Sequence, residues 1–225
     1  MMNEMANKIG MKNTVFVNPS GLEERDGSAN MSTVYDMALL TRYAMKDNDY
    51  RRIVGTKEIV VKSSLKSYRW LNKNKLLSSY EYCTGGKTGF TKKAHRTLVT
   101  TASKNDMNLI VVTFNDGNDF EDHKYLYERY FNKYERVKVL DKTRDYGNNL
   151  IMKNDFYLIK NNNDKVEIKV SKFDLSNAIN GSIGGKVEVI LNGEVLGSRN
   201  LYYEKVSVSK DKSFLNKLLE FLKFW

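Results

Sequence analysis

Two apolar, β-branched runs stand one short turn apart, at residues 96–102 (RTLVTTA) and 108–114 (NLIVVTF). The polar stretch SKND lies between them, so the pair reads as an antiparallel β-hairpin. No other feature limits the fold as much, because it also fixes the context of what comes just before. Residues 83–91 read CTGGKTGFT, a lysine and a threonine among glycines. Such a stretch can cradle a phosphate, line the wall of an acyl-transfer site, or form a tight turn.

A phosphate loop needs a glycine five positions before its Gly-Lys pair and a helix after it. With Gly86-Lys87-Thr88 as the candidate, the earlier position is Glu81, and the strand-like hairpin follows instead of a helix. Spacing and context both exclude that reading. The remaining functional reading is a Lys-Thr-Gly triplet on a strand at the edge of a cleft.

Around this centre the chain divides by texture. Residues 2–9 read as a helix ending at Gly10, residues 14–17 as a short strand, and Asn18-Pro19-Ser20-Gly21 as a turn. Thr33 and Asp36 fit a capping box, and Met37, Leu40, Tyr43 and Ala44 continue at helical spacing. Residues 56–62 read as a strand, and residues 121–135 as an aromatic-rich helix. From residue 137, short strand-like runs recur between Asn- and Gly-containing turns, the spacing of a small β-sandwich. The last residues, DKSFLNKLLEFLKFW, place Phe214, Leu215, Leu218, Phe221, Leu222 and Trp225 on one helical face and charged or amide groups on the other. The expected divisions are 1–136, 137–208 and 209–225.

Lys and Arg outnumber Asp and Glu by 37 to 27, a net charge of +10. The excess is scattered, which suits either a solvated basic surface or an anionic partner. Nucleic acid is not expected, since no recognition motif accompanies the charge. The single cysteine, Cys83, rules out an internal disulfide and reads as a buried spectator thiol. No apolar run is long enough to span a membrane as a helix, and the first residues hold no secretory signal. The chain therefore either stays inside the cell or continues a longer protein.

The stretches MKNTVFVNPSGL, STVYDMALLTRYAM, TGGKTGFTKKAHRTLVTTA and NLIVVTF resemble, in order, the D-alanyl-D-alanine carboxypeptidases of the low-molecular-mass penicillin-binding proteins. The resemblance implies an α+β fold, the C-terminal part of a penicillin-binding-type serine transpeptidase/β-lactamase-like domain. A small β-sandwich-like domain and an amphipathic C-terminal helix follow in that family. It implies roles too. Lys87 sets a positive charge near the nucleophile and the substrate's terminal carboxylate, and the Thr88 hydroxyl bonds that carboxylate. Gly89 admits close approach, and the Phe90 backbone N–H faces the oxyanion. The implied partners are peptidoglycan stem peptides and β-lactams, at the extracytoplasmic face of the bacterial membrane, with residues 211–225 on the membrane surface. No cofactor and no metal are implied.

The family's nucleophile lies in a Ser-x-x-Lys motif, followed by Ser-x-Asn, both upstream of MKNTVFVNPSGL. Ser63-Ser64-Leu65-Lys66 matches the first, and Ser28-Ala29-Asn30 and Ser198-Arg199-Asn200 match the second. Their order is reversed and Ser63 follows a strand-like run, so they read as chance matches. The expectation is a chain without its nucleophile segment, inactive alone. The competing expectation is a non-catalytic, membrane-associated binding module for anionic cell-wall polymer. His95 and His123 do not make a metal site. His123 and Lys124 are lesser candidates for contact with the substrate.

Overall fold

The computed structural model describes residues 1–205. The expected helix at 209–225, with its membrane contact at 211–225, lies outside the described residues, as do residues 206–208 of the expected β-rich domain. The chain separates into two compact units, Met1–Arg136 and Val137–Trp225. Its helices and antiparallel sheets make it an α+β protein.

Unit 1 begins with α1 (Met2–Lys8), which ends as the glycine at position 10 demands. Gly10 takes a positive φ of 87°, its N–H reaches the Asn7 carbonyl, and the Met11 N–H reaches back to Ala6. These paired bonds close the last turn. The strand expected at 14–17 does not form. Only Val15 bridges to Met31, while Asn3 and Asn30 side chains take the N–H groups of Phe16 and Val17 at 2.7 Å each. With no neighbouring strand, polar side chains satisfy that backbone instead.

Helix α2 (Val34–Ala44) starts at Thr33, whose hydroxyl accepts the Asp36 N–H at 3.1 Å. The reciprocal half of the expected capping box is missing. Asp36 is one methylene shorter than the glutamate such a box uses. Its buried carboxylate instead takes the Asn13 N–H at 2.8 Å and the Thr14 hydroxyl at 2.7 Å. Helix α3 (Asn48–Gly55) is capped by Asp47 through the Tyr50 N–H. An exposed antiparallel ribbon follows, β1 (Glu58–Lys62) with β2 (Ser67–Leu71), and then the one-turn helix α4 (Leu76–Ser79).

The sheet of unit 1 has the order β3 (Cys83–Thr91), β4 (His95–Lys104), β5 (Met107–Phe114), all antiparallel. Asn105 and Asp106 join β4 to β5 with φ of 50° and 59°, the two positive values that a two-residue hairpin turn needs. Helix α5 (Asp119–Lys133) lays Tyr127 and Phe131 on the sheet, in one core with Leu76, Tyr80, Ala102 and Met107.

The division between the units falls within β6 (Tyr134–Leu140). Unit 2 continues with β7 (Leu150–Ile151), β8 (Phe156–Asn161), β9 (Val166–Lys172), β10 (Ile183–Leu191) and β11 (Glu194–Tyr203). Its sheet order is β7-β11-β10-β9, with β6 and β8 forming a separate two-stranded piece. Leu140, Leu150, Val187 and Leu201 are fully buried in the core that these pieces share. Strand β11 begins well before the expected run at 201–209. The Asn192-Gly193 turn has two positive φ values, 51° and 87°, so pairing with β10 resumes at once.

Candidate active site

Strand β3 carries the Lys-Thr-Gly triplet. Its register with β4 pairs Lys87 with Val99, Thr88 with Leu98, Gly89 with Thr97 and Phe90 with Arg96. Among the described residues no strand covers the outer edge of β3. An open cleft of about 1210 Å³ lies against this strand, and Lys87, Thr88, Gly89 and Phe90 all line it. The structure thus brings the four predicted residues to one wall.

Two glycines seat that wall. At Gly85 a Cβ would stand 2.6 Å from a methyl of Val54 on α3, and at Gly86 it would run into the carbonyl oxygen of Val99 on β4. Asn74 is 2% exposed and lies behind them. Its amide donates to the Gly85 carbonyl at 3.3 Å, and its side-chain oxygen accepts the Leu76 N–H at 3.2 Å. It was not a sequence candidate, since a lone Asn in a polar run reads as a turn.

Lys87 is exposed, and its ammonium donates to the Thr88 carbonyl. Arg96 shares the cleft, and its guanidinium grips the buried Asp119 at two points, 2.6 and 3.1 Å. Arg96 also escaped the sequence reading, because its partner is the first residue of α5, across the intervening hairpin strand. Cys83 opens β3 half-buried. Burial raises its thiol above the usual range, so it stays protonated and is a poor nucleophile.

A sequence profile of a protein family, described as D-alanyl-D-alanine carboxypeptidase, matches residues 1–118. The chain belongs to the D-alanyl-D-alanine carboxypeptidase family. It is 36% identical over 114 residues to the D-alanyl-D-alanine carboxypeptidase DacF of Bacillus subtilis, covering 50% of this chain and 28% of that relative. It therefore spans only part of the length of the curated relative it matches. A crystal structure of a D-alanyl-D-alanine carboxypeptidase from Mycobacterium tuberculosis aligns with a TM-score of 0.53 at 26% identity, over 58% of this chain and 51% of that one. Penicillin-binding protein 5 of Haemophilus influenzae aligns with a TM-score of 0.64 over 91% of this chain and 64% of that one. At 24% identity that likeness shows the fold alone, and it extends into unit 2.

Within this carboxypeptidase-family unit the lesser candidates fall away from the cleft. His123 is fully buried beneath the sheet, with Nδ1 at 2.7 Å from the Thr100 hydroxyl and Nε2 at 3.1 Å from that of Thr113. Burial lowers it to about 4, so it is neutral at pH 7. It braces α5 on the sheet, and neither it nor Lys124 lines the cleft. His95 is exposed at the start of β4, with φ 55°. Ser63 sits in the turn of the β1–β2 ribbon, where its hydroxyl donates to the Lys66 carbonyl at 3.0 Å. The Lys66 ammonium lies 5.2 Å from the centre of the Tyr68 ring. Ser28 donates to Asp26 at 2.7 Å, and Ser198 is an exposed residue of β11 in unit 2. None of the three serines lines the cleft. Among the described residues no group of acidic, His or Cys side chains is placed to hold a metal. No described helix is long and apolar enough to cross a membrane.

Proposed function

We propose that unit 1 supplies one wall of a serine-type D-alanyl-D-alanine carboxypeptidase site, which removes terminal D-alanine from peptidoglycan stem peptides. The observation that carries this reading is the Lys87-Thr88-Gly89 triplet on the free edge of β3, beside an open cleft and inside the stretch that the family profile matches. A free strand edge offers backbone donors and acceptors along which an extended peptide can lie.

In this reading Lys87 sets its charge toward the nucleophile and the substrate's terminal carboxylate. The Thr88 hydroxyl donates to that carboxylate, and the Phe90 N–H donates to the oxyanion that forms when the carbonyl is attacked. A serine oxygen adds to that carbonyl, and D-alanine leaves with a proton. Water then cleaves the acyl-serine ester. The serine belongs to a polypeptide segment outside these 225 residues. Exposed apolar side chains on the cleft, among them Leu22 and Phe90 at 61% and 68%, support such a segment packing there. β-lactams acylate the same serine. The reaction takes place at the extracytoplasmic face of the membrane.

Labelling with a fluorescent penicillin tests this reading on three proteins: the chain itself, a chimera with the preceding segment of the Bacillus subtilis relative fused before Met1, and the Lys87→Ala form of that chimera. The chimera is labelled, while the chain alone is not and Lys87→Ala loses most of the signal. Labelling of the chain alone, abolished by Ser63→Ala, overturns the reading.

A further inference from the structure

Unit 2 has its own hollow, of about 350 Å³, at the outer edge of β11. Strand β7 covers that edge only at Tyr202 and Tyr203, so among the described residues no strand pairs with it at residues 198–200. The segment 152–156, which leads from β7 into β8, closes the other side, with buried Met152 and half-buried Phe156 as apolar surface.

Two cations line this hollow. Arg199 stands opposite Val187 in the β10–β11 register and two residues from Leu201. It therefore belongs to the inward row, where Val187 and Leu201 are fully buried, but its own side chain is exposed. Its guanidinium lies 5.0 Å from the centre of the Phe156 ring and donates to the Ser198 carbonyl at 2.9 Å. The Lys153 ammonium lies 4.1 Å from the centre of the Tyr202 ring. Among the described residues neither forms an ion pair. The acid on the wall, Asp155, is already engaged by Lys138 at 3.2 Å and the Lys142 N–H at 2.8 Å. Among the described residues the hollow therefore keeps uncompensated positive charge.

We propose that this hollow binds a sugar that bears a phosphate or carboxylate group. Lys153 and Arg199 hold the anion. Asn154 and the unpaired backbone edge of residues 198–200 face hydroxyl groups, and Met152 and Phe156 receive the C–H face. The ring contacts hold both long cations in place before binding, which reduces the conformational entropy lost when a ligand arrives. The volume lies at the small end of the roughly 300–1,000 Å³ typical of ligand sites. It admits one sugar unit, whereas a peptide strand added to β11 would have to displace residues 152–156. The site is independent of the cleft in unit 1.

Amide-resolved NMR titration of the whole chain with glucose 6-phosphate, glucuronate, glucose and inorganic phosphate tests the proposal. Either acidic sugar shifts the amides of residues 152–156 and 198–202 saturably, and neutral glucose does not. Lys153→Ala and Arg199→Gln each weaken that binding tenfold or more while the rest of the spectrum stays folded. Absence of saturable shifts with both acidic sugars overturns the proposal. So does inorganic phosphate binding as tightly as glucose 6-phosphate, or undiminished binding in both variants.

Discussion

Arg96 and Asp119 form a two-point ion pair with unequal burial: the carboxylate is 6% exposed and the guanidinium 45%. The two halves should therefore respond differently to mutation. Arg96→Ala leaves a buried carboxylate without its partner and should be the more destabilising of the two changes. Asp119→Ala leaves an arginine that still reaches water, and should cost less. Urea unfolding of both variants checks the order, and equal losses would contradict it.

His123 predicts a pH dependence with a definite sign. Burial holds its pKa at about 4 in the fold, against 6.5 for an ordinary histidine, although Asp119 and Asp116 pull it upward. Above pH 6.5 the imidazole is neutral in both states and the stability is fully present. As the pH falls toward about 4, the unfolded chain takes up a proton that the folded chain refuses, and stability drops. Between pH 7 and pH 5 the protein should lose roughly 2 kcal/mol by this route. His123→Gln should start less stable and lose much less over that interval. Denaturant midpoints at the two pH values distinguish the outcomes.

Gly86→Ala should destabilise unit 1 by about 1–3 kcal/mol or more, because the new methyl meets the Val99 carbonyl, a backbone atom that cannot swing aside. Lys87→Ala, one residue on but exposed, should change stability by no more than about 0.5 kcal/mol. Thermal melts of the pair would separate seating the strand from working on it. A similar loss in both would place Lys87 in the packing.

At the start of α2, Thr33→Ala should cost about 1 kcal/mol, the usual loss for an N-cap hydroxyl. Asp36→Ala should cost more, about 2–3 kcal/mol, since it removes the acceptor of both the Asn13 N–H and the Thr14 hydroxyl and leaves the latter only Ser32. Chemical denaturation of the two variants ranks them. A larger loss for Thr33→Ala would return Asp36 to a purely local capping role.

What could be read from the sequence follows the range of the interactions concerned. The β4–β5 hairpin was legible because its strands and its Asn105-Asp106 turn are contiguous. The Lys-Thr-Gly strand was legible through its neighbour. Asp36 was misassigned because the same carboxylate suits a local cap and a tertiary clamp, and only the position of residues 13 and 14 decides between them. The strand expected at 14–17 failed for want of a neighbour, which no local pattern reveals. Asn74 and Arg96 act across folded distance, on Gly85 and Asp119, and carry no local mark. The β1–β2 ribbon was half seen, since SYRWL shows strand residues but no buried face.

The strand order of unit 2 also sets an order in time. β10 and β11 are joined by two residues, so their pairing closes a very short loop and needs little chain entropy. β7 contributes only Leu150 and Ile151, and Ile151 must find Tyr202 at the far end of β11. Contacts of such long sequence separation form slowly. The β10–β11 hairpin is thus the natural nucleus of the described sheet, and the β7 edge should dock after it. Substitutions around the Asn192-Gly193 turn should mainly slow folding, whereas changes at Leu150 should mainly speed unfolding.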